Sequence, residues 1–494
     1  MTFAHLPILA VAVPLIAAPV TLLLRRSTPA WAVATTACAF SFVASILLAL
    51  EVAARGVISY HIGSWPPPWG IEYRIDALSA FVMVLVSGIA TVVAPYAWRS
   101  VRAELPRDRL YLFYTMFCLC VTGLLGMTAT GDAFNIFVFM EIASLSSYVL
   151  IALGRDRRAL LAAYQYLILG TIGATFYVIG VGMLYLVTGT LNLADMASRL
   201  PEVADTRPVL AALAFITVGI SLKLALFPLH LWLPNAYAYA PSAVTALLAA
   251  TATKVSVYIL LRFYFSVFGL HLVTESLPMP EILLVLSLAG IITASLVAVW
   301  QTDLKRLFAW SSVAQIGYIT LGIAMASIDG LTASVIHLFN HGITKGALFL
   351  LLGGVALRMG GRARLEDVRG LGRSMPLTAF GITLAGLSLI GVPGTAGFIS
   401  KWFLVLSALE AGRWWLAGTV VATSLIAVVY VWRFVEAAYL SAPPADAPAQ
   451  GEAPWTMLVP AWALAAACVW FGLDTSFTVE GAQRAAQLLV GGAP

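Results

Sequence analysis

The sequence predicts an all-α polytopic membrane protein with about 14 transmembrane helices, two inverted five-helix repeats and two broken helices. Of its 494 residues, 61% are hydrophobic and only 10% are charged, which is more apolar surface than a soluble protein of this length could bury. The apolar residues fall into runs long enough to cross a hydrocarbon layer of about 30 Å. Two of these runs carry proline and glycine near their centres, which predicts breaks inside membrane helices.

The apolar runs divide the chain into four parts. Residues 1–109 form an N-terminal segment of three helices, and residues 110–267 and 281–439 hold five spans each. Residues 454–494 hold a C-terminal helix and a short tail. The predicted spans are 4–24, 31–53, 76–98, 110–130, 132–154, 159–187, 208–233, 241–267, 281–300, 307–326, 331–357, 376–411, 414–439 and 454–472.

Basic residues are distributed unevenly between the loops on alternate sides of these spans. The richest loops, 99–109 and 358–373, fall on the same side, and cytoplasmic loops are the ones enriched in lysine and arginine. The pattern therefore predicts a multi-pass protein of the cell inner (cytoplasmic) membrane with both termini on the outer (periplasmic) side. The basic residues are scattered between spans and form no single patch, so no nucleic-acid partner is expected.

The two predicted helix breaks share a pattern. The run 208–233 contains Pro228, and the run 376–411 contains Pro393 and Gly394. A lysine lies close to each break, before it in the first run and after it in the second. Each broken run is also the fourth span of a five-span block. Because five is an odd number, the two blocks begin on opposite sides of the membrane, which is the arrangement of an inverted repeat.

Several charged residues lie far from the ends of their spans. The four that lie near span centres are Glu141, Lys223, Lys254 and Lys345. An ionised side chain at this depth costs about 2.5–3.5 kcal/mol on the scale derived from membrane-insertion experiments, which gives the lowest values. One alternative is that each charge pairs with a neighbour and only joins helices. A single carboxylate cannot neutralise several lysines, so the series favours a functional role.

The segment HLFNHGITKGALFL places two histidines and a lysine four residues apart. His337, His341 and Lys345 therefore lie in one stripe along a helix face. Two alternatives are a zinc site, for which no acidic or cysteine ligand lies nearby in the sequence, and histidines that merely pack in the core. The pattern favours a hydrated path inside the helix bundle, because imidazole exchanges protons near neutral pH and a lysine removed from water can do so as well.

The four cysteines all lie in apolar runs, and their spacing indicates neither disulfides nor a zinc or iron–sulfur site. No motif for a nucleotide or a haem is present. The sequence therefore predicts no cofactor, no metal and no catalytic centre within this chain.

Five segments together point to a known family. They are FVFMEIASLSSYVLIALG, SLKLALFPLHLWLPNAYAYAPSAVTALLAATATK, DLKRLFAWSSVAQIGY, HLFNHGITKGALFLLLG and GVPGTAGFISKW. With these segments, residues 110–440 resemble the central module of the antiporter-like subunits of Mrp-type multisubunit cation/proton antiporters, respiratory complex I and membrane-bound hydrogenases.

This resemblance implies roles for the buried charges. Glu141 would be the acidic partner of Lys223, Lys254 would relay protons between two half-channels, and Lys401 would be the terminal exchange group. Within the family, the chain is most similar to the D subunit of Mrp antiporters, because it ends about twenty residues after its last span. The remaining members of the hydrated axis would be His337, His341 and Lys345.

The expected function is a proton-translocating subunit of a multisubunit membrane complex, with a Mrp-type monovalent cation (sodium)/proton antiporter as the favoured assembly. Two alternatives stay open. One is an N-type or hydrogenase-type antiporter-like subunit of a redox-driven proton pump related to NADH-quinone oxidoreductase, and the other is a non-conducting scaffold. The expected partners are the other subunits of an antiporter or of a respiratory or hydrogenase membrane arm, together with protons, sodium and the lipid bilayer.

Overall fold

The computed structural model describes residues 2–361, 363–443 and 451–491, so residue 362 of the predicted cytoplasmic loop 358–373 lies outside the described residues. Within the described ranges, thirteen helices are long and apolar enough to cross a membrane. A further crossing consists of two shorter helices separated by a break. The predicted all-α polytopic fold is confirmed.

The N-terminal part consists of three helices and a β-hairpin. The helices are α1 (Leu6–Leu24), α2 (Ser27–Arg55) and α3 (Ala77–Glu104). Between α2 and α3, the strands β1 (Ile58–His61) and β2 (Glu72–Ile75) pair antiparallel. The sequence does not predict this hairpin, because each strand has only four residues. Glu72 accepts a hydrogen bond of 2.9 Å from the Asn192 side chain, which fastens the hairpin to a loop much later in the chain.

Six helices of eight or more residues follow, besides a short helix at Leu193–Arg199, and two of the six form the first broken span. They are α4 (Leu110–Ala129), α5 (Ala133–Ala152), α6 (Arg157–Thr188), α7 (Arg207–Leu224), α8 (Trp232–Tyr239) and α9 (Ser242–Leu261). The helix α7 ends because Ala225 adopts a left-handed conformation with φ of 61°. Pro228, which has no N–H to donate, lies in the segment between α7 and α8. The chain continues from α9 into wider helical turns at Arg262–Val267.

The next six helices of eight or more residues contain the second broken span. They are α10 (Met279–Trp300), α11 (Leu304–Ala324), α12 (Ile328–Arg358), α13 (Pro376–Ile390), α14 (Ala396–Glu410) and α15 (Trp414–Val435). The break contains Pro393 between Gly391 and Gly394, whose positive φ angles of 90° and 84° suit glycine. A Cβ added to Gly397 would lie 1.7 Å from the Ser388 carbonyl oxygen, so the two half-helices touch through their backbones.

The C-terminal part consists of the span α16 (Trp455–Leu473) and a second helix, α17 (Ser476–Gly491). The sequence predicts only a short tail where α17 lies. This helix buries a face of small residues that includes Ala482 and Ala485, while Gln483 and Arg484 are exposed. It packs against α3 and α12.

The helix α12 lies at the centre of the bundle. The apolar stretch of 18 residues in α12 is entirely buried, whereas the corresponding stretches of α2, α6 and α10 are each only 39% buried. The helices α9 and α11 are also largely buried and lie against α12. The stripe of two histidines and a lysine on α12 is therefore held in the protein interior, away from lipid.

Candidate functional site

An ion pair links the fifth helix to the first broken helix. The Nζ atom of Lys223, in the last turn of α7, lies 3.7 Å from Oε1 of Glu141 on α5. The same amino group donates a hydrogen bond of 2.7 Å to the Ser144 hydroxyl. Oε1 of Glu141 has no hydrogen-bond partner among the described residues. The two charges are therefore close, but Ser144 supplies the shorter contact to the lysine.

Close helix packing sets the position of this lysine. A Cβ added to Gly219 on α7 would lie 2.6 Å from the Gly173 carbonyl oxygen on α6, so the two backbones are in direct contact. After the break, the Trp232 indole donates a hydrogen bond of 2.9 Å to the Leu222 carbonyl oxygen. The Trp232 ring also stacks on Tyr166, with 3.9 Å between ring centroids. These contacts fix the last turn of α7, where Lys223 lies.

Lys254 is buried on α9 without a carboxylate partner. Its amino group donates a hydrogen bond of 2.5 Å to the Ala249 carbonyl oxygen, and the Thr253 hydroxyl lies 3.4 Å away. Among the described residues, no carboxylate lies within 4.0 Å of its Nζ atom. The helices α9 and α12 are in contact here, since a Cβ on Gly342 would lie 2.9 Å from the Ala250 carbonyl oxygen.

The two histidines of α12 differ in their surroundings. The two ring nitrogens of His337 lie 2.7 Å from the Ser400 hydroxyl and 2.8 Å from the Gln315 side-chain oxygen. His341 stacks with His337 at 6.1 Å between ring centroids, and neither of its buried nitrogens has a partner among the described residues. One histidine is thus fully hydrogen-bonded, and the other is free to bond to water.

The two remaining lysines of the series bond to backbone oxygens. Lys345 donates a hydrogen bond of 2.7 Å to the Phe308 carbonyl oxygen, and a second to the Ser311 hydroxyl. Lys401 lies 3.0 Å from each of three acceptors, which are the Leu389 and Ile390 carbonyl oxygens and the Ser424 hydroxyl. Because α13 ends at Ile390, these carbonyls have no partner within their own helix.

The predicted residues fall into two groups. Lys223 and Glu141 form one, and the α12 histidines with Lys401 form the other. Lys254 and Lys345 are hydrogen-bonded to neither group. Tyr318 lies between members of the second group, with its ring 4.7 Å from Nζ of Lys401 and 5.8 Å from the His337 ring. No hydrogen bond joins the two groups directly in the part of the chain that the structure describes.

Sequence reasoning misses the polar residues that hold these groups. The residues are Ser144, Gln315, Ser400 and Ser424, and each is neutral, so none stands out from an apolar run. His230 is also missed. It lies in the first helix break between the Phe227 and Trp310 rings, and its buried Nδ1 has no partner among the described residues. Its position next to a predicted helix break is the sequence feature that could identify it.

The described part of the chain contains no cluster of three or more His, Cys, Asp or Glu side chains that could hold a metal ion. Because His337 uses both nitrogens on Ser400 and Gln315, the α12 pair is not arranged for joint ligation. The arrangement suits proton exchange, since it combines several buried bases with hydroxyl and carbonyl acceptors.

The chain matches a known protein family over its central part. The family model described as "NADH:quinone oxidoreductase/Mrp antiporter, TM" matches residues 130–427. The N subunit of NADH-quinone oxidoreductase from Desulforudis audaxviator is 44% identical over 95% of this chain and 96% of its own length. The D subunit of the Na(+)/H(+) antiporter from Alkalihalophilus pseudofirmus is 30% identical over 79% of this chain and 78% of its own length.

A solved structure resembles the whole chain in three dimensions. A chain of the Mrp complex from Dietzia sp. DQ12-45-1b superposes with a TM-score of 0.91 at 27% identity. The match covers 99% of this chain and 98% of the other, so the fold is shared from end to end.

Proposed function

Because the chain belongs to the NADH:quinone oxidoreductase/Mrp antiporter transmembrane family, we propose that it is the proton-translocating subunit of a multisubunit membrane complex. The favoured assembly is a Mrp-type sodium/proton antiporter. The observation that carries this proposal is an excess of buried bases over buried acid. Four lysines are at most 6% exposed, and among the described residues only one of them has a carboxylate within 4.0 Å. The four are Lys223, Lys254, Lys345 and Lys401.

The acceptors around each lysine determine how well its charged form is supported. An ammonium group has three N–H donors, and Lys401 has three oxygen acceptors at 3.0 Å. Lys254 has one short acceptor and one at 3.4 Å. The ammonium form of Lys401 is therefore well supported, whereas Lys254 suits a relay that gives up its proton readily.

The Glu141–Lys223 pair provides the switching step. While the two groups are close, each stabilises the ionised form of the other. When they separate, Lys223 remains buried beside a neutral hydroxyl, its charge becomes costly, and proton release towards Lys254 is favoured. The contacts at Gly219 and Trp232 hold the backbone of α7 here, so the separation is a movement of the two side chains. The breaks at Pro228, and at Pro393 and Gly394, leave backbone groups without helical partners, and these groups can bind water along the path.

The exposure of Glu141 supports the presence of a neighbouring subunit. Its side chain is 25% exposed, and it lies at mid-span on α5 among outward-facing residues such as Val138 and Leu145. A carboxylate facing hydrocarbon is costly, so another membrane protein is expected to cover this face. A partner that covers this face would also influence the charge state of Glu141, because it would change how far the side chain is exposed.

The membrane topology belongs to the same proposal. The chain is a multi-pass membrane protein, and we place both termini on the outer side, together with the β-hairpin and α17. Residues 110–267 and 281–439 are proposed as the two inverted repeats, flanked by residues 1–109 and 454–494. Each repeat has its broken helix as the fourth crossing, which supports this division.

A second candidate function is a subunit of a redox-driven proton pump. The 44% identity to the N subunit of an NADH-quinone oxidoreductase, over nearly the full length of both chains, favours this alternative. The axis of buried bases serves equally in either assembly, since the energy source lies in other subunits. A scaffold without proton transport would not need six buried bases along this path, which are Lys223, Lys254, His337, His341, Lys345 and Lys401.

Purification of the native complex through a tag on this chain tests the proposal. The complex is reconstituted in liposomes, and the internal pH is followed first during a sodium gradient and then during supply of an electron donor. A sodium-driven pH change that Lys223→Ala abolishes supports the antiporter. Proton movement only with an electron donor supports the redox pump. A complete complex in which Lys223→Ala changes neither response would contradict proton transport by this chain.

A further inference from the structure

A second buried ion pair lies at the end of α9 that faces the β-hairpin, apart from the axis described above. Asp76, directly before α3, pairs with Arg262, directly after α9, and both side chains are buried. Arg262 also donates hydrogen bonds of 2.9 Å to the Ser79 hydroxyl and 3.1 Å to the Tyr258 hydroxyl. Four polar side chains from two helices thus form one cluster.

The hydroxyl groups of this cluster form a chain that ends at the carboxylate. The Ser79 hydroxyl lies 3.1 Å from Oδ1 of Asp76, and the Tyr258 hydroxyl lies 3.3 Å from the Ser79 hydroxyl. Tyr258 is one helical turn after Lys254 on α9, and Arg262 is one turn further. The stripe on α9 therefore leads from the proposed relay lysine to the Asp76 carboxylate.

The cluster borders a cavity of about 320 Å³ on the same side of the molecule as the β-hairpin. The cavity wall includes Asp76, Tyr258 and Arg262 from the cluster, and Arg74 and Ser266 beside it. A cavity of this volume holds several water molecules, and its polar groups can bond to them. The carboxylate at the end of the hydroxyl chain can therefore meet water.

We propose that Asp76, Ser79 and Tyr258 form the outer mouth of the proton path, through which Lys254 exchanges protons with the water-filled cavity. The inference rests on the proposed function, and it adds an exit near α3 and α9 that is separate from Lys401. Lys254 currently donates to Ala249, on the side away from Tyr258, so its long side chain must turn, or a water molecule must bridge the gap.

The proton balance of this route is simple. The Tyr258 hydroxyl donates a hydrogen bond of 3.0 Å to the Thr128 carbonyl oxygen, so it must first turn towards Ser79. An ammonium proton of Lys254 then passes, directly or through the bridging water, to the Tyr258 oxygen, while the Tyr258 hydroxyl proton passes to the Ser79 oxygen. The Ser79 hydroxyl proton then passes to the Asp76 carboxylate, so Lys254 becomes neutral and Asp76 becomes the neutral acid. Asp76 releases its proton to cavity water. Arg262 stays charged throughout and favours the return of Asp76 to its ionised form.

A purely structural role explains only part of the cluster. Asp76 caps α3 by accepting a hydrogen bond of 2.9 Å from the Ser79 backbone N–H, which needs neither Arg262 nor Tyr258. A buried ion pair is also weak evidence of a stabilising role, because apolar residues of similar size often stabilise as well. Neither role requires the Tyr258 hydroxyl to lie 3.3 Å from the Ser79 hydroxyl beside a cavity.

Removal of one hydroxyl tests the route. In the reconstituted complex, Tyr258→Phe keeps the ring, and we expect proton transport to fall about ten- to a hundredfold while assembly is unchanged. Ser79→Ala should give a similar loss, and the double variant should be no worse, because both act in one series. The matched control is Tyr264→Phe, since the Tyr264 hydroxyl lies 3.0 Å from Thr217, away from the chain.

The outcomes separate this inference from the proposed function. If Tyr258→Phe transports normally while Lys223→Ala does not, the outer mouth is wrong and the proposed function stands. If Lys223→Ala also transports normally, both are wrong.

A labelling experiment decides the matter if Tyr258→Phe fails to assemble. Ser266→Cys places a thiol in the cavity wall, and an impermeant thiol reagent added from the hairpin side should block transport. The control is Trp69→Cys, because Trp69 is 87% exposed beside the hairpin and should be labelled without loss of transport. Labelled Ser266→Cys protein with full activity, or failure to label it, would overturn the proposal.

Discussion

The amino group of Lys401 lies 3.0 Å from the carbonyl oxygen of Ile390, the last residue of α13. The lysine after the second helix break thus bonds to the backbone that the break leaves unpaired. Carbonyl oxygens at a helix C-terminus carry partial negative charge, so this position favours a cation. Because the break supplies two of the acceptors of this lysine, we expect a change in the break to alter proton binding at Lys401.

Lys401→Arg should assemble but transport protons at least about tenfold more slowly. Arginine keeps the charge and the hydrogen bonds to the carbonyls, but its guanidinium is not deprotonated in proteins. The measurement is the initial rate of pH change in liposomes. Lys305→Arg is the matched control. Lys305 is only partly buried, donates a hydrogen bond to Ser242 and borders a large cavity that Lys401 does not line. Equal rates for Lys401→Arg and the native protein would exclude proton release from Lys401.

The charged residues of the candidate site can be proposed from the sequence because a single charge stands out in an apolar run. Ser144 and Gln315 cannot be proposed in this way, since hydroxyl and amide groups are tolerated in membrane helices and often bond to their own backbone. Which of them meets a lysine depends on helices that are far apart in the chain, as for Lys223 and Ser144, which are 79 residues apart.

Some features of the fold can be predicted from the sequence and others cannot. Length and hydropathy predict the spans, and proline and glycine predict both breaks. The ion pair of Asp76 and Arg262 is not predicted, because each residue lies at the end of a span, where a charge is ordinary. The helix α17 is not predicted either, since its buried face consists of small residues and gives no strong apolar run.

Gly397→Ala should destabilise the protein by about 1–3 kcal/mol or more, because overpacked sites must shift their backbone. The added Cβ would lie 1.7 Å from the Ser388 carbonyl oxygen, which belongs to a helix backbone that cannot move alone. The measurement is the thermal unfolding midpoint of the purified complex. Gly418→Ala is the control, since a Cβ there meets no atom within 4 Å. An unchanged midpoint for Gly397→Ala would mean that the two half-helices are not in contact.

Arg107→Cys should resist an impermeant thiol reagent in intact cells and react once the membrane is opened. Arg107 is exposed in the Arg-rich loop 99–109, which we propose to be cytoplasmic because of its basic residues. Trp69→Cys, across the membrane in this topology, should react in intact cells. The native cysteines are buried throughout the described chain and add little background. Reaction of Arg107→Cys from outside would reverse the proposed orientation.

Ser144→Ala should reduce transport less than Lys223→Ala, because it removes the 2.7 Å hydrogen bond to the lysine but leaves Glu141 in place. The control is Ser146→Ala, since the Ser146 hydroxyl bonds only to backbone oxygens of its own helix. The readout is the transport rate per assembled complex. A loss with Ser146→Ala equal to that with Ser144→Ala would point to a general effect on α5.

Glu141→Gln should abolish transport or shift its pH optimum with little loss of assembled protein. The amide keeps the shape of the carboxylate but removes the negative charge 3.7 Å from Lys223, so the buried ammonium loses its counter-charge. Lys223→Ala should lose at least as much, and the double variant should be no worse than Lys223→Ala alone, because members of one working unit give non-additive losses. The measurement is the pH profile of transport for all four proteins. Fully active Glu141→Gln, or losses that simply add, would show that the two residues act separately, and proton release would then need a cause other than separation of this pair.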